Sequence, residues 1–382
     1  MKNKKVYHLS YYLFVCLAVF LFSCQSSQIY VAKTEKNKIV TQTEEPVFSV
    51  FLIGDAGKAT EDEPTLQGLS MALQQAGKNS AVVFLGDNIY PFGLPDSAAN
   101  SRKESEVLLT RQLAILKNYE GQPFIIPGNH DWNMSLAGGL AAVKRQEIFV
   151  ENYLKRGNTF LPDSACPDAK IVFLTSNIVL LAIDTEWWFH KHAKPIGETS
   201  YCNSKTPSEF LQNVAQTINQ HKDKQIIVVG HHPIITNSKY FTWKSHIFPL
   251  TDFNKKWLVP LPILGSIYVG YRRLGLSRHD ISHPNYKKLN EGLIKAFGDV
   301  ALIHAAGHDH NLQLHHQNKQ YYIVSGSGSK LRDAPKRHKA LFVANKKGFA
   351  VIRYYANQPP IIEYYIGNET KAIFRIACEK IK

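Results

Sequence analysis

Cysteine is scarce in this 382-residue chain: there are five, and no two stand as Cys-x-x-Cys. Zinc-thiolate and thioredoxin chemistry both use that spacing, so both are set aside. No apolar run approaches the roughly 20 residues of a membrane-spanning helix. Internal repeats and low-complexity tracts are missing too. So are helix-turn-helix, zinc-finger and aromatic ribonucleoprotein motifs, and no nucleic-acid partner is expected. Acidic charge is in deficit, with 31 Asp and Glu against 45 Lys and Arg, a formal net charge of +14. A basic excess suits anionic partners such as phosphorylated substrates, lipid headgroups or polysaccharide, or is simply a solvated surface. What is present is apolar residue in ordinary measure, 44%, enough to build a core in one large domain or two ordinary ones.

The chain opens on basic MKNKKVYHLS and then YYLFVCLAVFLF, an apolar run of signal-peptide length. It closes on Leu21-Phe22-Ser23-Cys24, which resembles the lipobox of bacterial lipoproteins, although Phe22 is a less usual occupant. The expectation is a signal segment over 1–24 and a lipid anchor at Cys24, placing the protein in the bacterial cell envelope, at the outer membrane or facing the periplasm. An ordinary signal peptide with an incidental Cys24 is the alternative. Residues 25–45 are polar and lack apolar period, which reads as a flexible tether; the folded domain is then expected over 46–382. Cys166 and Cys202 stand in loop-like sequence flanking one strand pair, and an envelope compartment permits a disulfide there, so bridge and free thiols both stay open.

Five short apolar runs each end on a polar cluster: VFSVFLIGD (47–55), AVVFLGD (81–87), PFIIPGNHD (123–131), QIIVVGHH (225–232) and VALIHAAGHDH (300–310). These read as buried strands. Helix-like stretches lie between them, at 64–78, 102–119, 140–156, 206–222 and 286–297, and the alternation predicts an α/β architecture. Sites in such sheets gather at the carboxyl ends of strands, so the five clusters are expected to meet. After residue 310 the pattern becomes strands and turns, which predicts a second sheet rather than a second domain. Residues 237–284, rich in aromatics, prolines and basic residues, fit neither pattern and read as an inserted loop or cap. It is expected to rim the site, to touch a membrane surface, or to extend the core.

The clusters are Gly54-Asp55-Ala56-Gly57, Gly86-Asp87-Asn88-Ile89-Tyr90, Gly128-Asn129-His130-Asp131, Gly230-His231-His232-Pro233 and Gly307-His308-Asp309-His310. Each sets hard or borderline metal ligands just after a glycine, where the chain can turn side chains into a shared cavity. A strand-terminal Asp is commonly a helix cap and a lone His commonly structural. The joint recurrence points to a metal centre.

In this set the sequence resembles the metallophosphoesterase (calcineurin-like) superfamily, and within it the purple acid phosphatases of tartrate-resistant type. The usual Asp-x-His of the first motif is absent, since Gly57 stands two beyond Asp55, but GDAG with GDNIY matches the purple acid phosphatase pattern. The likeness covers about 47–330; the 237–284 insertion and the lipobox depart from it. It implies a two-sheet β-sandwich flanked by helices on both sides, αββα. It implies one metal held by Asp55, Tyr90 and His310, another by Asn129, His231 and His308, with Asp87 bridging. Fe(III) beside Fe, Zn or Mn as the divalent ion suits those donors, and a metal-activated hydroxide would attack phosphorus. His130 is expected to assist the leaving group, or to orient substrate, with Asp131 holding its ring. His232 is open between a phosphate contact and a supporting role. Asn88 and Asp309 read as supporting hydrogen bonders, and His304, His315 and His316 as structural. Trp132, Trp187 and Trp188 are open between pocket wall and core.

The resulting expectation is a phosphate monoester hydrolase acting on a phosphorylated small molecule or phosphoprotein, with no protein partner inferred. A phosphodiesterase or nucleotide pyrophosphatase on the same centre is the alternative, and a metal-free phosphate-binding lipoprotein the non-enzyme one.

Overall fold

The computed structural model describes residues 29–35, 40, 44–238, 243–252, 257–334 and 339–379. The expected signal segment and Cys24 lie outside the described residues. In chain order the first strands are β1 (Ile29–Val31), β2 (Phe48–Ile53), β3 (Ser80–Phe84), β4 (Gln122–Ile125), β5 (Lys170–Phe173), β6 (Ile178–Ala182) and β7 (Gln225–Val229). The rest are β8 (Leu302–Ala306), β9 (Leu312–Gln317), β10 (Gln320–Ser325), β11 (Ala340–Ala344), β12 (Gly348–Tyr354), β13 (Ile361–Ile366) and β14 (Phe374–Ala377). The helices are α1 (Pro64–Ala76), α2 (Arg102–Ala114), α3 (Gly139–Leu154), α4 (Thr185–Phe189), α5 (Pro207–Gln220), α6 (Pro262–Arg273) and α7 (Pro284–Phe297).

Two mixed sheets stack, one ordered β1-β11-β9-β10-β8-β7-β6-β5 and the other β14-β13-β12-β2-β3-β4. The near-continuous apolar character of β2 and β3 has a physical cause: both faces are covered. Val50, Leu52 and Val83 face the other sheet and pack with Leu180, Ile227 and Val229. Their neighbours Phe51, Ile53 and Val82 point the other way, into the layer that includes Leu69, Leu113 and Val143 of the helices. The result is the expected sandwich with helices outside.

Helix ends follow sequence chemistry. Thr206 caps α5 by accepting the Glu209 amide, Pro207 occupies the first turn, and Phe210, Val214 and Ile218 form the buried stripe. His283 caps α7 in the same way, ahead of Pro284.

Two expectations are corrected. The segment after residue 310 is not a sheet of its own: β9, β10 and β11 extend the sheet of β5–β8, whereas β12, β13 and β14 extend that of β2–β4. The Asn345–Gly348 turn therefore crosses between sheets, joining β11, which lies between β1 and β9, to β12, which lies between β13 and β2. Second, the stretch expected as a tether contributes β1, whose Ile29-Tyr30-Val31 pairs antiparallel with Phe342–Ala344. β-branched and aromatic residues meeting an open sheet edge outweigh the polar flanks. The 237–284 insertion, expected as a loop or cap, contains short 3₁₀ turns at Trp243–His246 and Pro249–Asp252 and then α6.

Candidate metal centre

The parallel strands β2, β3 and β4 end beside the parallel strands β7 and β8, and the loops leaving all five carry the candidate residues. Asp55, Asp87 and His308 hold left-handed backbone, with φ of 58°, 56° and 66°. Such strain at non-glycine residues persists only where the surroundings enforce it. The glycines beside them make the crowding possible: a Cβ on Gly128 would lie 2.4 Å from the Asp87 amide nitrogen, and one on Gly86 2.6 Å from His231 Nδ1.

All seven residues named as ligands from the sequence come together in one buried cluster. In one half, the Tyr90 hydroxyl lies 2.9 Å from Asp55 Oδ1, 2.8 Å from Asp87 Oδ2 and 3.3 Å from His310 Nε2. In the other half, Asn129 Oδ1 is 3.2 Å from His231 Nε2 and 3.0 Å from His308 Nδ1, and those two ring nitrogens are 3.2 Å apart. Asp87 belongs to both halves, since its Oδ1 is 3.3 Å from His231 Nε2.

Donor chemistry tests whether cations fit. His231 Nδ1 donates to the Leu85 carbonyl oxygen at 2.8 Å. In that tautomer Nε2 carries the lone pair, and it is aimed at the oxygens of Asn129 and Asp87. Acceptor faces acceptor there, an arrangement that a cation resolves. Burial pushes the Asp55 carboxyl well above its ordinary range and neighbouring Asp87 adds to this. Burial also works against ionised Asp87, but His231, His130 and His308 outweigh it and hold the group below the usual carboxylate range. The Tyr90 phenol is raised well above 10.0, first by burial and then by Asp55 and Asp87. Burial depresses His308 and His310. The set thus offers imidazole nitrogens, a phenol, an amide oxygen and two carboxyl groups, the donors that hard and borderline cations take.

His130 lies at the margin, its Nδ1 2.5 Å from the Pro91 carbonyl oxygen and its Nε2 3.8 Å from Asp87 Oδ2. Asp131 does not hold that ring, contrary to expectation. Its carboxylate turns inward and accepts from the amides of Gly128 and Asn88 and from Gln146 Nε2, clamping two ligand-bearing loops; burial first, then Asp87, raises it to about 7. Asn88 and Asp309 support the loops, Asn88 Nδ2 donating to the Ile126 carbonyl and Asp309 accepting from Thr236. His232 is fully buried, its Nδ1 2.8 Å from Thr185 Oγ1 and its ring 4.5 Å from that of His308. That position packs His232 against His308 and suits a supporting role. Trp132 and Trp187 are core residues, each indole donating to an internal acceptor, Asp184 and the Pro195 carbonyl. His304 is buried in β8, His315 bonds Gln313 and His316 stacks on Tyr321, all structural.

Sequence reasoning missed three side chains. Lys330 Nζ lies 3.9 Å from the Tyr90 ring centroid, and burial lowers it to about 8. Its signal was Gly326-Ser327-Gly328-Ser329-Lys330, a sixth glycine-rich strand end, whose Ser329 hydroxyl donates to the Asp55 carbonyl. Glu186, buried at the start of α4, accepts from Ser135 and from His279 Nε2 at 3.0 Å. His279 comes from the insertion, and its ring is 5.5 Å from that of His232 and 6.0 Å from that of His308. No spacing rule would have joined these two. The bridge left open in the sequence is formed, Cys166 to Cys202.

The profile of the calcineurin-like phosphoesterases matches residues 48–312. No curated protein sequence matches the chain. Among solved structures, the chain is similar to GAP50, the anchor in the inner membrane complex of Plasmodium, at 16% identity and a TM-score of 0.52, with 88% of this chain and 90% of that one covered. It is similar to the purple acid phosphatase PPD1 from yellow lupin (Lupinus luteus) seeds at 16% identity and a TM-score of 0.51, covering 88% of this chain and 55% of that one. It is also similar to PhoD, at 11% identity and a TM-score of 0.52, covering 88% and 69%. At these identities the likeness is one of fold.

Proposed function

The chain belongs to the calcineurin-like phosphoesterase family, and we propose that it hydrolyses phosphate monoesters at a two-cation centre of acid-phosphatase type. The observation that carries this reading is the face-to-face placement of acceptors: His231 Nε2 against Asn129 Oδ1 and Asp87 Oδ1, with Asp55 and Tyr90 on the far side of Asp87. In this reading Asp55, Tyr90 and His310 hold one cation, Asn129, His231 and His308 the other, and Asp87 both. Cations so held supply positive charge to the phosphoryl oxygens and acidify the attacking water.

The chain's own groups divide the remaining work. His130, tied by Nδ1 to the Pro91 carbonyl, keeps Nε2 toward the centre, where it serves the leaving group. Lys330 adds positive charge beside Tyr90 and favours an anionic ester. A buried phenol with a raised pKa would give up its proton to solvent most readily if its oxygen were bound by a cation of high charge, which supports Fe(III) on the Tyr90 side and Fe, Zn or Mn as the divalent partner. The lipobox-like Leu21–Cys24 supports a lipid-anchored place in the bacterial cell envelope.

Three measurements test the reading. Purified protein is expected to show a visible tyrosinate-to-iron band that Tyr90→Phe abolishes; active, colourless protein carrying only zinc or manganese rejects the iron assignment and spares the hydrolase. p-Nitrophenyl phosphate is expected to turn over faster than bis-p-nitrophenyl phosphate, and the reverse order makes the protein a diesterase. His130→Ala is expected to cost about 10²-fold for poor leaving groups and less for good ones.

A further inference from the structure

Among the described residues, 22 large apolar side chains are exposed, and nine of them fall between Trp257 and Leu276. The concentration is not scattered surface but one face. On α6, Ile263, Ile267, Tyr271 and Leu274 recur at helical spacing, and Ile263 and Leu274 are 76% and 74% exposed. Trp257 and Leu258 continue the face ahead of the helix. The opposite face is already used: Val269 is buried, and a Cβ on Gly265 would lie 2.3 Å from the His246 carbonyl oxygen. In its last turn Arg272 pairs with Asp280 beyond the helix at 2.6 Å, tying the end of the element down. An apolar stripe of this size is held outward by the structure itself.

Charge selects the occupant. From Asp252 to Asp280 the sequence has five basic residues, Lys255, Lys256, Arg272, Arg273 and Arg278, against two acidic ones, Asp252 and Asp280, the latter paired with Arg272. No helix among the described residues is long and apolar enough to cross a membrane. A short amphipathic helix with an apolar stripe, basic flanks and a Trp and Tyr beside them has the composition that settles into a headgroup layer. We propose that the α6 face seats on an anionic lipid bilayer surface. The inference stands on this face alone and is independent of the hydrolase reading. Its consequence reaches the centre through chain continuity, because His279 follows the helix by a few residues and pairs with Glu186. Docking would set the candidate centre beside the headgroup layer.

Hydrogen exchange on the full chain, with and without phosphatidylglycerol vesicles, provides the test. Vesicles are expected to slow exchange over 257–276 by about tenfold or more, and phosphatidylcholine vesicles to do so severalfold less. The triple variant Ile263→Glu/Ile267→Glu/Leu274→Glu changes only exposed positions, and circular dichroism checks its fold. It is expected to lose the protection, to bind vesicles at least about tenfold more weakly, and to keep its turnover of a soluble phosphate monoester. Vesicle binding through the amino-terminal segment with exchange over 257–276 unchanged would overturn the proposal. So would protection that rises with protein concentration in the absence of lipid, since a second copy would then cover the face.

Discussion

The floor of the candidate centre and its rim are built by opposite means. The floor is made of loops leaving five strands, each fixed by a ladder below and by carboxylate clamps such as Asp131 beside it. The rim is made of side chains from separate segments, His279 of the insertion against Glu186 of α4, with Ser135 from a third. A floor residue has its position set by local chain geometry. A rim residue has its position set only by its partners. The difference teaches that the chemistry is carried where the backbone is most determined, and that variation in what approaches the centre is left to the part least determined by the sheets.

The largest effect is expected in the floor. Asp87 touches Tyr90, the His130 amide and His231, so Asp87→Ala disconnects both halves at once. Turnover is expected to fall by about 10³-fold or more, and bound metal per chain to fall with it. Retained metal with lost turnover would sharpen the comparison by separating holding from catalysis. A floor that tolerated the change would break it.

Next in size is the covalent fastening of the rim's partner. Cys166 and Cys202 are 36 residues apart and enclose β5, β6 and α4, hence Glu186. Cys166→Ser/Cys202→Ser is expected to lower unfolding stability by about 3–4 kcal/mol in the chain-entropy account, read by denaturant titration, while metal content per folded chain stays unchanged. Loss of metal in still-folded protein would show that floor and rim are not separable.

The same contrast explains what was legible beforehand. The floor could be read because five apolar runs end in Gly-Asp, Gly-Asn or Gly-His, and a buried strand has one way to present such residues. That logic brought the five clusters together, while the two-sheet fold and the choice of Asp55, Asp87, Tyr90, Asn129, His231, His308 and His310 as ligands were what the resemblance to the metallophosphoesterases implied. Asp131 was misjudged because a sequence gives the neighbour of a ligand but not the direction in which a turn points its side chain. The division of the last six strands between sheets was unreadable for a related reason: alternation fixes which faces are buried, not which edge a strand joins. His279 and Lys330 were missed because each comes from sequence whose path had no regular period to predict it.

A smaller effect tests the rim itself. His279→Ala is expected to reduce turnover about tenfold with bound metal unchanged, and Glu186→Gln to do about the same. If the pair acts as a unit, the double variant costs no more than either single one. Additive losses would show that Glu186 and His279 work separately, and a loss of metal would move the rim into the floor.

The smallest effect concerns a weakness beneath the floor. His304 sits mid-strand in β8, four residues before His308, buried between Phe297 and Tyr322. Burial lowers it from 6.5 to about 3. The folded state therefore keeps the ring neutral while the unfolded chain takes up a proton below pH 6.5. Stability from this group is fully present above pH 6.5 and is lost as the pH falls from there toward 3, at up to about 1.4 kcal/mol per pH unit. Leucine fills similar space without a proton site, so His304→Leu should flatten the acid limb of unfolding stability between pH 6 and 4 relative to the native chain. His190 and His315, each lowered to about 4 chiefly by burial, keep part of that limb in both proteins, which makes the difference in slope, not its absolute value, the quantity to measure. An unchanged slope would mean that the strand opens to hydrate His304 before the rest of the molecule unfolds, and the floor would then be less rigid than its ladders imply.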